Sequence, residues 1–100
     1  MTQTEKNVKV LKQWLKENGL SYEEKSIIKG MEVDIFIPKV KIAVCIGDNQ
    51  VFFETLKKDY APFFIRESES EEKTTEKITN CCIQQMRKIH QKYSSLKNKK

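Results

Sequence analysis

Over the first eighteen positions, apolar residues recur at helical spacing: Val8, Leu11, Trp14 and Leu15 share one face, while Lys9, Lys12, Lys16 and Glu17 lie elsewhere. This predicts a helix over residues 4–18, with Thr4 as N-cap, Glu5 in the first turn and Gly19 as the residue that ends it. The period then changes to two. Leu20, Tyr22, Glu24, Ser26 and Ile28 occupy alternate positions, which predicts a strand over 20–28, and Lys29-Gly30 supplies a turn. Met31, Val33, Ile35 and Ile37 alternate with Glu32, Asp34 and Phe36, giving a second strand with one apolar face and one face that carries two carboxylates. Pro38-Lys39 ends it, because proline has no N–H for the ladder. Residues 40–46 are apolar apart from Lys41, as expected of a central strand covered on both faces.

Gly47-Asp48-Asn49 closes that strand, and Asp48 or Asn49 is placed to cap a short helix running to Lys58 with Val51, Phe52 and Leu56 inward. Residues 60–65 return to β composition, where Pro62 argues for an edge position or the strand's start. Residues 67–73 are polar enough to read as disordered. The longest helix is expected from Thr74 to about Ser94, its stripe formed by Ile78, Cys82, Met86, Ile89 and Tyr93, with Leu96 beyond. That stripe suits packing on the sheet, and the same spacing suits a homodimer seam through this last helix. The order is helix, three strands, helix, strand, helix: an α+β domain.

At 100 residues the chain has room for one core, so residues 1–96 form a single domain and residues 97–100 a basic tail. With 38% hydrophobic and 33% charged residues, it has enough apolar surface to order that core. Its apolar runs, 42–46 and 61–65, fall far short of the roughly 20 residues of a membrane span, so no membrane partner is expected. Residues 1–7 lack a signal peptide's apolar core, and Cys45, Cys81 and Cys82 are an odd set with two adjacent, which suits a reducing, cytoplasmic setting.

The net charge of +5 is unevenly spread. Residues 81–100 hold Arg87, Lys88, Lys92, Lys97, Lys99 and Lys100 without an acid, whereas Glu67, Glu69, Glu71, Glu72 and Glu76 cluster just before them against Lys73. Such a basic end favours DNA or RNA through neutralised phosphates, with lysines positioning on the backbone rather than reading bases. It serves equally as a solubilising tail.

Other chemistry finds little support. Cys81-Cys82 with His90 lacks zinc-ligand spacing, and the glycines are isolated, so no phosphate loop exists. Cys45 lies in the most apolar strand, where a thiol stays protonated. Trp14, Phe52, Phe53, Phe63 and Phe64 read as core rather than as a base-stacking platform.

The run from Glu32 to Asp48, an aspartate in an apolar strand, a Pro-containing turn and a second apolar strand ending at Gly-Asp, resembles the PD-(D/E)xK nuclease superfamily, especially small domains related to very-short-patch repair endonucleases. The resemblance implies a restriction-endonuclease-like αβββαβα core with a mixed four-stranded sheet. It also implies a divalent metal held by Asp34 and by a carboxylate on the next strand, with a lysine two residues later activating water. The metal would lower the water's pKa and offset charge on the phosphate. Counting along the pattern puts Cys45 and Gly47 in the last two places, and a thiol is a poor ligand for Mg²⁺. Asp48, a Glu54 migrated onto the following helix, Lys41 and Glu32 are candidate substitutes. The expectation is a catalytically degenerate nuclease-like domain that needs no cofactor and binds nucleic acid or a nucleoprotein complex. Its alternatives are an active Mg²⁺-dependent endonuclease and a protein-interaction or dimerisation domain.

Overall fold

The computed structural model describes the backbone of residues 1–97 and the side chains of residues 1–91. Helix α1 (Gln3–Glu17) is followed by β1 (Glu23–Ile28), β2 (Met31–Ile37), a 3-10 turn (Pro38–Val40), β3 (Ile42–Ile46), α2 (Gln50–Leu56), β4 (Ala61–Ile65) and α3 (Glu71–Lys97). The sheet order is β1-β2-β3-β4. The first three strands form an antiparallel meander, and β4 joins β3 in parallel. Parallel neighbours require a crossover, and α2 provides it. The expected α+β order with a mixed four-stranded sheet is what forms. Pro62 lies on edge strand β4, and Lys97, assigned to the tail, is still within α3.

Helix α1 starts earlier than its pattern suggested. Thr2, rather than Thr4, is the N-cap, in a capping box with Glu5. Its other end is a Schellman motif: Leu20 N–H donates to Leu15 O at 2.8 Å and Gly19 N–H to Lys16 O at 3.2 Å, with Gly19 at φ +66°. Leu20 is thereby drawn into the cap and the core, and β1 begins only at Glu23. The β1–β2 turn has Lys29 and Gly30 at φ 51° and 76°, the left-handed pair of a type I′ hairpin. Its register omits one pair, Lys25 opposite Asp34, where Lys25 has φ 54°. Val33 lies beyond this gap and packs on the α2 side of the sheet, whereas Ile35 and Ile37 pack against α1 and α3. The single apolar face expected of β2 is therefore split at Asp34.

Strand β3 supplies both core layers. Ile42 and Val44 join Leu11, Leu15, Ile78 and Cys82 on one side, while Ala43 and Cys45 meet Phe52 and Leu56 on the other. Val51, expected inward, is 64% exposed. Asn49 caps α2, and seven residues turn only the i, i+4 pair Phe52 and Leu56 onto the sheet. The stripe of α3 also divides: Ile78 and Cys82 are buried, but Met86 and Ile89 are 48% and 42% exposed. A helix of 27 residues is about 40 Å long, and five-residue strands span only about 17 Å, so the stripe runs past its sheet.

The segment expected to be disordered is instead clamped. Glu67 accepts from the N–H groups of Gln3 and Thr4, at 3.1 and 2.6 Å, and from the Thr4 hydroxyl. Fully buried Asn7 donates to the carbonyls of Arg66 and Glu69 at 3.0 and 2.8 Å. Ser70 then caps α3 through Lys73 N–H, so that helix starts before Thr74. Asn7→Ala should therefore cost about 2 kcal/mol, measured by urea unfolding, because two carbonyls lose their donor at a buried site. The bonds from Thr4, side chain first, hold the Glu67 carboxyl below its usual 4.5. A depressed folded value adds stability above the unfolded pKa that is lost as pH falls. Glu67→Gln should flatten the fall in Tm below about pH 5.

Candidate functional site

The β2–β3 ladder ends at Ile35 opposite Val44, and Asp34 makes the next bond with its side chain: its Oδ2 accepts from Ile46 N–H at 2.8 Å. One oxygen of the candidate metal ligand thus serves as a substitute for the ladder. Beside it lies Cys45, whose thiol is pushed above its ordinary pKa by burial first and by the charges of Asp34 and Asp48 second. Asp34, Cys45 and Asp48 therefore share one electrostatic neighbourhood at the C-terminal end of β3. Gly47, at φ +82°, passes the chain onward and donates its N–H to Ile65 O at 2.8 Å.

The remaining candidates are either bonded to other groups or placed away from Asp34. Asp48 accepts from Arg66 Nε at 2.8 Å. Glu54 lies on the exposed side of α2, bonded to Lys57 at 2.6 Å and to Gln50 at 3.0 Å, and the Lys57 bond lowers its pKa. Glu32 is exposed near the hairpin tip, paired with Ile27. Lys41 caps the 3-10 turn at the opposite end of β3, roughly 13 Å along the strand from Cys45. Among the described residues, no three His, Cys, Asp or Glu side chains gather closely enough to hold a metal ion.

A groove of about 550 Å³ opens beside Asp48 and runs along edge strand β4 at Pro62, Phe63 and Phe64, lined also by Asn49, Gln50, Phe53, Arg66 and Lys77. The cations here are already committed, Arg66 to Asp48 and Lys77 to Glu69 at 2.6 Å. Arg66 and Lys77 were not singled out by the sequence pattern, since both follow β4 and find their carboxylates only after folding. Of the basic set, Arg87 and Lys88 are exposed on α3. Lys92 and Lys97 lie in α3 with their side chains outside the described set, and Lys99 and Lys100 lie outside the described residues.

No family model matches the chain, and no curated protein matches its sequence. Among solved structures, the catalytic domain of the homing endonuclease I-Bth0305I is similar to it, with a TM-score of 0.66 over 85% of this chain and 97% of that one. The chain shares the fold of that domain. At 18% identity the likeness concerns the fold alone.

The chemistry at Asp34 can be probed through Cys45. The native thiol should alkylate with iodoacetamide at pH 8 at least about tenfold more slowly than in the denatured chain, as read by peptide mass mapping. Asp34→Asn should raise that rate only slightly, because burial is the larger cause.

Proposed function

We propose that the chain is a PD-(D/E)xK-type nuclease-fold domain that no longer cuts and binds nucleic acid through a basic end. The observation that carries this reading is the pairing of Asp34 with Ile46 N–H, with Cys45 where the fold would need a second carboxylate. A protonated thiol does not suit a hard cation such as Mg²⁺, and Asp34 has one oxygen already engaged, so these residues do not fit a divalent-metal site. The fold and the positive charge remain. Its fold neighbour bears the name of a homing endonuclease, which is consistent with a DNA partner here.

Asp48 favours a second reading, an active nuclease with a displaced carboxylate, because its charge reaches Cys45 as that of Asp34 does. It would first have to leave Arg66. A parallel homodimer through α3 is disfavoured by charge, since it would set two ends side by side, each carrying six basic residues and no acid over residues 81–100; an antiparallel one would instead face each basic end with Glu71, Glu72 and Glu76 of the other copy.

Incubation with supercoiled plasmid and Mg²⁺ or Mn²⁺ should give no cleavage beyond that of Asp34→Ala. Metal-dependent nicking abolished by Asp34→Ala or Asp48→Ala would establish the active reading instead. Affinity for a DNA or RNA duplex should fall steeply with salt, by about 10³ or more between 50 and 200 mM if about six phosphates are neutralised.

A further inference from the structure

The end of β3 remote from Asp34 gathers lysines from four separate elements. Lys29 comes from the β1–β2 turn, Lys41 from the end of the 3-10 turn, Lys57 and Lys58 from the end of α2, and Lys88 from α3. Lys41, Lys57, Lys58 and Lys88 border one cavity of about 230 Å³ together with Asp59 and Gln85. The acids nearby do not balance them. Asp59 is paired with Lys29, and Lys57 with Glu54 at 2.6 Å. Among the described residues Lys41, Lys58 and Lys88 form no ion pair, and residues 92–100, which continue the chain from this helix, contain no acid.

Two of these lysines also occupy a backbone conformation that lysine does not favour. Lys29 and Lys41 have φ of 51° and 53°, the left-handed region in which glycine, asparagine and aspartate sit most readily. Lys41 is fixed there, its N–H donating to Pro38 O at 3.3 Å and its carbonyl accepting from Ala61 N–H at 2.8 Å. The dipole at the C-terminus of α2 gives a stability reason for Lys57 and Lys58. The ion pair with Asp59 gives one for Lys29, but neither gives one for Lys41, where asparagine would suit the backbone better. Gln85, bonded to Val40 O at 2.9 Å, ties α3 to this end and holds Lys88 beside the others.

From this convergence we infer that Lys41, Lys58 and Lys88 form the surface that contacts the phosphates of a nucleic-acid backbone, placing the polymer at the opposite end of β3 from Asp34. The inference rests on the nucleic-acid-binding reading above and deepens it. Polymer held there runs along the lysine end and onto Arg87, away from the Asp34 carboxylate.

The test compares the intact wild type, K41N/K58Q and K9Q/K16Q by fluorescence anisotropy on a labelled random-sequence duplex over a salt series. Asparagine fits the left-handed backbone, so K41N/K58Q should retain the wild-type Tm or exceed it, which separates binding from folding. Its slope of log K against log salt should become shallower by about 2, with K9Q/K16Q, two exposed lysines on α1, leaving the slope nearly unchanged. A wild-type slope and affinity in K41N/K58Q, with wild-type binding intact, would overturn this surface and leave the nucleic-acid reading standing. No binding by the wild type at low salt would overturn both.

Discussion

Strand β3 is hydrogen-bonded on both edges and covered on both faces, and the placement of every candidate residue follows from that. Antiparallel pairing to β2 sets Asp34 beside Cys45. Parallel pairing to β4 is closed at each end by a backbone bond, Ala61 N–H to Lys41 O and Gly47 N–H to Ile65 O, both 2.8 Å. With Ile42, Ala43, Val44 and Cys45 all buried, the strand cannot slide by one residue without moving its side chains to opposite layers. The carboxylate end and the lysine end are therefore held apart by a rigid element, each with its own chemistry.

Much of this scaffold was legible because short-range physics produces it. The period of α1, the glycine that ends it, the Lys29-Gly30 turn, the unbroken apolar run of β3 and the Asn49 cap all lie within a few residues of their own consequences. What escaped depends on contacts across the chain. Glu67 looked like part of a solvated acidic stretch, and only folding brings the start of α1 to its carboxylate, across 64 residues from Gln3. The stripe of α3 suited packing on the sheet or a dimer seam, and a periodic pattern carries no information about where the sheet beneath it ends. Val33 kept the alternation of Ile35 and Ile37, and the interruption at Lys25 moved it to the other layer.

The candidate site was legible only in part, for a reason that lies in hairpin geometry. Asp34 and Cys45 are equidistant from the Pro38 turn and so become neighbours, whereas Lys41 is next to the turn and is carried away from Asp34. The family resemblance offered Asp48, Glu54, Lys41 and Glu32 as candidate substitutes around Asp34. The fold distributes them over the two ends of β3 and the outer side of α2. The charged side chains at the two ends, Asp48 and Lys41, stand outside both core clusters, so the packing of the sheet does not depend on them.

The most direct test is a titration of the isotopically labelled domain with a DNA duplex, followed residue by residue through backbone amide shifts with and without Mg²⁺. The account predicts perturbations centred on Lys41, Lys57 to Tyr60 and Gln85 to Lys88, independent of Mg²⁺ once ionic strength is matched. Perturbations centred on Asp34 and on Ile46 to Gln50 that appear only with Mg²⁺ would contradict it and place the nucleic acid at a working metal site.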